Sequence, residues 1–322
     1  MTLARRTALG LLPLLVAGAA GAQESFPSRP LSLIVPLPPG GTTDAISRAF
    51  AAKMADHLQR PIVMDNRPGA GASVAYAHSA RVPADGYTVL MGINSLAVNP
   101  ALRQDLAYAP LRDFAAVSLV ARGAFVLAVH PDLPARDVAA LVALAKAQPG
   151  RLDQASTGVG SLNHLAGALF QQRAGVSFNH VPYRGGAQAT ADVLAGRVPV
   201  IFLAILEALP FVQDGKLRAL AVTSPERIPV LPEVPTLAEA GLPGYAVEFW
   251  QGLFVPAATP APAIARLNQA ARAAAADAAL VQDMARRGIA IAASSPEELD
   301  ALLRRETQEW AALVQATGIK AD

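Results

Sequence analysis

The residue types best suited to polar chemistry in this chain gather in three short turns, each placed after an apolar run. The first reads Val35-Pro36-Leu37-Pro38-Pro39-Gly40-Gly41-Thr42-Thr43-Asp44 and leads into a segment with helical spacing. Prolines and paired glycines force a tight turn and leave backbone N–H groups exposed. The amides that open the following helix lack intrahelical partners and lie at the positive end of its dipole. The turn therefore suits an anion, with Thr42 and Thr43 adding hydroxyl donors. The same residues also suit a plain turn capped by Thr42 or Thr43, and the dipole stabilises Asp44 in the first helical turn without any ligand.

The second turn, Ser156-Thr157-Gly158-Val159-Gly160-Ser161-Leu162-Asn163-His164, repeats the device. Thr157, Gly160 and Ser161 would face the first turn across a cleft and clamp one carboxylate from the other side. A cap by Ser161 is the plainer alternative, and His164, followed by Leu165, reads as a packed or capping histidine. The third turn, Gly92-Ile93-Asn94-Ser95, offers Asn94 and Ser95 at the same rim. Those residues also suit a turn before an extended Val98-Asn99-Pro100.

Other chemistry is missing. There is no GxSxG elbow, no GxxxxGK[ST] loop, no GxGxxG after a strand and no HExxH helix. The five histidines, His57, His78, His130, His164 and His180, show no metal-ligand spacing, and no cysteine is present. No catalytic residue, metal or cofactor is expected.

The elements that must position these turns alternate in α/β fashion. Strands are expected at Leu31–Pro36, Pro61–Asn66 and Tyr87–Gly92, with helices near Thr43–Leu58 and Ala70–Ala80 between them. A second unit opens with strands at Val117–Ala121 and Phe125–His130, separated by Arg122-Gly123 as a candidate hinge. It continues through alternating helices and strands to Leu217–Thr223. Val247–Val255 reads as a strand returning to the first unit. Ser295 is expected to cap a C-terminal helix with Pro296 at its first position. The reading gives a leader at 1–22, a discontinuous first lobe at 23–122 and 245–322, and a second lobe at 123–244. Such lobes, joined by two crossovers, suit closure around a ligand.

The leader is read from Arg5 and Arg6 ahead of the apolar run Ala8–Ala20 and the small residues Ala20-Gly21-Ala22, a signal peptide cleaved before Gln23 and export to the periplasm. The 27 basic and 25 acidic residues of the whole chain become 25 and 25 without Arg5 and Arg6. That balance gives no electrostatic reason to bind nucleic acid or anionic lipid. No later apolar stretch reaches the ~18 residues of a membrane span, and 52% hydrophobic residues suffice for two large cores.

Beyond these local patterns, Pro27-Ser28-Arg29-Pro30 followed by Ile34 to Asp44 closely resembles the opening of the Bug family, the substrate-binding proteins of tripartite tricarboxylate transporters. The resemblance continues through Asn66-Arg67-Pro68-Gly69-Ala70-Gly71, Asp85-Gly86-Tyr87, Val98 to Leu102, Asp113-Phe114, Asn163 to Gly167, His180 to Gly185, Gly215 to Thr223 and Val234-Pro235-Thr236. It implies a two-lobed type II periplasmic-binding-protein fold with a ligand cleft between the lobes. It also implies a monomer that captures a small carboxylate and delivers it to the membrane permease subunits of the transporter. The ligand would be held by loop amides and hydroxyls, which maps onto Gly40–Thr43 and Thr157–Ser161. One departure stands out. Where relatives commonly read Phe-Asp-Asn-Leu, this chain has Phe202-Leu203-Ala204-Ile205. Leu203 would make the pocket more apolar and argue against an amino-acid ligand. A receptor signalling to a membrane sensor kinase would carry the same site, and a carboxylate-processing enzyme is the third reading.

Overall fold

A computed structural model describes residues 26–320 apart from Arg184. The expected leader, its cleavage point before Gln23, and Arg184 lie outside the described residues. The first unit runs β1 (Leu31–Val35), α1 (Thr42–Leu58), β2 (Ile62–Asn66), a 3₁₀ turn at Ala70–Ala72 leading into α2 (Ser73–Ser79), and β3 (Thr88–Ile93). β1 pairs in parallel with both β2 and β3, as crossover helices require. Next come α3 (Ser95–Leu102), α4 (Pro110–Asp113) and the 16-residue β4 (Phe114–Val129).

The second unit contains α5 (Val138–Ala147), β5 (Asp153–Ser156), α6 (Leu162–Ala174), β6 (Asn179–Pro182), α7 (Gly186–Leu194), β7 (Val200–Ala204), α8 (Ile205–Gln213) and β8 (Arg218–Val222). The chain returns through β9 (Glu248–Pro256) to α9 (Ala261–Ala275), α10 (Ala278–Ala285), β10 (Ile289–Ile291) and α11 (Pro296–Thr317). Ser295 caps α11 in a capping box with Glu298, and Pro296 takes the first helical position.

β4 divides the architecture. From Phe114 to Ala124 it pairs with β9, which leads on to β3, β1 and β2. From Phe125 to Val129 it pairs with β7 and β8, and β7 leads on to β5 and β6. The chain therefore passes between two sheet halves along β4 and again between β8 and β9. This is a two-lobed mixed α/β fold.

The break expected at Arg122-Gly123 does not exist. Both residues lie inside β4, paired to Trp250 and Phe249 of β9 on one side and to Ala290 and Ile289 of β10 on the other. Gly123 serves close approach, because a Cβ there would collide with the Phe249 ring. That ring is held edge-on against Phe125. Gly123→Ala is accordingly expected to cost about 1–3 kcal/mol by overpacking, measured by urea unfolding. A cost near zero would mean that the ring moves freely.

The extended Val98-Asn99-Pro100 is also corrected, since these residues lie inside α3. The general bias of a residue before proline is overridden by buried hydrogen bonds. Asn99 Nδ2 lies 3.0 Å from the Gly71 carbonyl, 3.1 Å from Ser73 Oγ and 3.0 Å from Tyr108 Oη, which anchors α3 to the turn before α2.

Candidate functional site

The turn between β1 and α1 is built around Asp44. Gly40, at φ 90°, adopts the left-handed backbone that favours glycine, and its amide donates to Asp44 Oδ2 at 3.0 Å. Arg48 Nε donates to the same oxygen at 2.9 Å. Asn66 Nδ2, at the end of β2, lies 3.0 Å from both Asp44 Oδ1 and the Leu37 carbonyl. Burial alone would raise the Asp44 pKa, but the bonds from Arg48, Gly40 and Asn66 overcome it and hold the carboxyl below its ordinary value. Asp44 is thus a saturated brace for the turn. Leu37 contributes its carbonyl to that brace while its side chain is half-buried.

Gly41, not a threonine, is the N-cap of α1, which places Thr42 and Thr43 in the first turn, both buried. The N–H of Thr42 donates to Glu207 Oε1 at 3.0 Å and its hydroxyl donates to the same oxygen at 2.8 Å. Glu207 lies in the first turn of α8, on the other sheet half. A Cβ on Gly41 would stand 3.6 Å from Oε1, and one on Gly186 only 2.7 Å from Oε2. The carboxylate therefore lies between the starts of α1 and α7, where glycine backbones approach closely. The sequence reading missed Glu207. A signal existed, since it is the sole acid between Asp192 and Asp214 and stands three residues after the end of β7.

The turn between β5 and α6 is largely occupied by its own partners. Asn163 Oδ1 accepts from the amide of Thr157 at 3.4 Å and from its hydroxyl at 3.1 Å. Ser161 Oγ lies 2.6 Å from both Asn163 Oδ1 and the Gly158 carbonyl, one of which takes its single proton. Ser161 holds the N-cap position of α6 without a side-chain cap bond. The Gly160 amide donates to His164 Nδ1 at 3.1 Å, and the His164 ring stacks on His180 at 3.7 Å. Burial, and then the neighbouring His180, bring the His164 pKa down to about 4, and burial lowers that of His180. His164 is the packed histidine that its surroundings suggested. His180 Nε2 lies 2.6 Å from Ser156 Oγ, and that hydroxyl is wholly buried, so the pair braces the turn.

The remaining expected residues have packing or hydrogen-bond partners of their own. Ser95 opens α3 with its hydroxyl 2.8 Å from Tyr76 Oη. Asn94 turns inward, accepting from the Trp250 amide at 2.9 Å and donating to Glu306 Oε2 at 3.0 Å. Leu203 is 2% exposed within β7 and belongs to the hydrophobic core. No hydrogen bond among the described residues links Thr157, Gly160 or Ser161 to the Gly40–Asp44 turn. Nor do the described residues hold a cluster of three or more His, Asp or Glu able to bind a metal, or a helix long and apolar enough to cross a membrane.

Comparison with known proteins points the same way as this geometry. The family described as tripartite tricarboxylate transporter family receptor matches residues 46–319. Protein BugT of Bordetella pertussis is 36% identical over 299 residues, covering 92% of each chain. Among solved structures, R. palustris Rpa4515 with adipate superposes with a TM-score of 0.87 at 33% identity, covering 92% of this chain and 99% of its own. MatC of Rhodopseudomonas palustris with bound malate gives 0.83 at 32% identity, covering 90% of this chain and 100% of its own.

Proposed function

The chain belongs to the tripartite tricarboxylate transporter receptor family, whose members are periplasmic solute-binding receptors and not enzymes, and from that premise we propose that it captures a small organic carboxylate between its two halves. The observation that carries this reading is the pair of Thr42 donors converging on one carboxylate oxygen at 3.0 and 2.8 Å. Charge-assisted bonds of this kind, at the start of the 17-residue α1, are what an oxyanion needs. Adipate and malate in the two structural relatives support the same ligand class.

In this reading Gly40, Gly41, Thr42 and Thr43 face the ligand from one lobe, and Thr157, Gly160 and Ser161 face it from the other. Residues 23–122 and 245–322 form the first lobe and 123–244 the second, with closure about the crossovers. The protein is exported by a signal peptide cleaved after Ala22, acts as a monomer and hands its ligand to the permease subunits of the transporter.

The test is a thermal-shift screen of protein beginning at Gln23 against mono-, di- and tricarboxylates, aromatic acids and amino acids, with hits confirmed by calorimetry. Selective stabilisation by one carboxylate class is expected. Thr42→Val, which keeps the amide and removes the hydroxyl, should weaken that acid about tenfold. Stabilisation by amino acids alone, or by no acid at all, would refute the proposal.

A further inference from the structure

Glu207 meets Thr42 in the geometry that a ligand carboxylate would require. Both Thr42 donors end on Oε1, and the side chain bearing it comes from α8, on the opposite sheet half. Gly186 leaves room for the carboxylate, since a Cβ there would stand 2.7 Å from Oε2 and force it aside, whereas a Cβ on Gly41 would make ordinary van der Waals contact with Oε1 at 3.6 Å. Oε2 accepts no hydrogen bond among the described residues, so Thr42 holds this carboxylate through one oxygen only. A carboxylate of the chain itself thus lies where the incoming acid is expected.

We propose that Glu207 is a tethered carboxylate that competes with the ligand for the Thr42 donors, sets the affinity for acids and ties the two halves together until it is displaced. The proposal rests on the carboxylate-receptor reading and adds a specificity-determining residue to it. An acid that reaches Thr42 must break both bonds to Glu207 and bring a second negative charge beside it. An amide group in place of that carboxylate brings no such charge. Glu207 therefore penalises acids relative to amides, and the acids that bind well are those with a second anchor elsewhere in the cleft. The tie also has a structural consequence, because its loss removes a direct link between α1 and α8.

The experiment compares wild type, Glu207→Gln and Glu207→Ala by calorimetry with adipate, malate and the mono-amide of adipate, and by small-angle X-ray scattering without added ligand. Thermal unfolding checks that both variants are folded, and glutamine preserves the shape of the side chain. Both variants should bind the diacids at least about tenfold more tightly. The mono-amide should gain less, and the alanine variant should have a larger radius of gyration that contracts on adding adipate. Diacids bound by all three proteins with equal affinity, or more weakly by the variants, overturn the role of Glu207 and leave the receptor reading intact. Failure of all three proteins to bind either diacid overturns both.

Discussion

Acidification from neutrality to about pH 4 is expected to remove about 3 kcal/mol of folding stability through His164 alone. Its folded pKa is brought from 6.5 to about 4, first by burial and then by His180. The unfolded chain takes up a proton at this residue as pH drops below 6.5, whereas the folded chain resists until about 4. The contribution is therefore fully present above the unfolded value and is lost as pH falls through that window. His180 shifts in the same direction and adds to the slope. Protonation of His164 at Nδ1 would also end the bond from the Gly160 amide, so the glycine-rich turn should loosen with the rest.

Glu239 and Glu297, lowered from 4.5, lose stability at the bottom of the same window, while other groups act below it or against it. Asp44 and Asp113 are held below 3.8 and matter only at lower pH. Burial raises Glu306 and Glu248 above their ordinary value, and such groups favour the folded state more as pH falls through their own range. The clean measurement is urea unfolding of wild type and His164→Gln at pH 7.5 and 4.5. The pH difference of the variant should be smaller by about 2–3 kcal/mol. Identical differences in the two proteins would show that His164 titrates normally in the fold.

Glu306→Ala should destabilise the protein by about 3–4 kcal/mol, because one carboxylate oxygen serves three donors. Trp250 Nε1 donates to Glu306 Oε2 at 2.7 Å, Asn94 Nδ2 at 3.0 Å and Trp310 Nε1 at 3.2 Å. Trp250 is almost wholly buried, so its indole N–H has no access to water once the acceptor is gone. The loss extends to the end of β3, since the Asn94 side chain also accepts the Trp250 amide and fixes that end to β9. Glu306→Gln retains an acceptor oxygen and should cost only about 1 kcal/mol. Equal losses in the two variants would mean that packing, not acceptance, is the role of this side chain.

The contrast between Ser295 and Glu306 shows what local chemistry reveals. Ser295, Pro296 and Glu298 are neighbours, and their cap was legible because every partner lies within one turn. Glu306 is a charged residue in a helix rich in charge, and its role depends on Asn94 and Trp250, more than 50 positions away. The same distinction explains the two corrected segments. Arg122-Gly123 looked like a break because glycine weakens an isolated strand, but pairing on both sides and the ring of Phe249 give that glycine a different purpose. Pro100 argued for extended backbone until the buried bonds of Asn99 outweighed it.

By itself the sequence determined the alternation of strands and helices, the glycine-rich turns at Gly40–Thr43 and Thr157–Ser161, and the family resemblance. Each is written in contiguous residues whose backbone preferences act over a few positions. Only the tertiary structure decided that β4 runs unbroken through both halves, that Asp44 is a brace, and that Glu207 meets Thr42 from 165 positions away. Those outcomes depend on which sheet edges pair and which helix starts converge. No local preference carries that information, because the free energy that selects it comes from contacts formed after the chain has crossed between the halves.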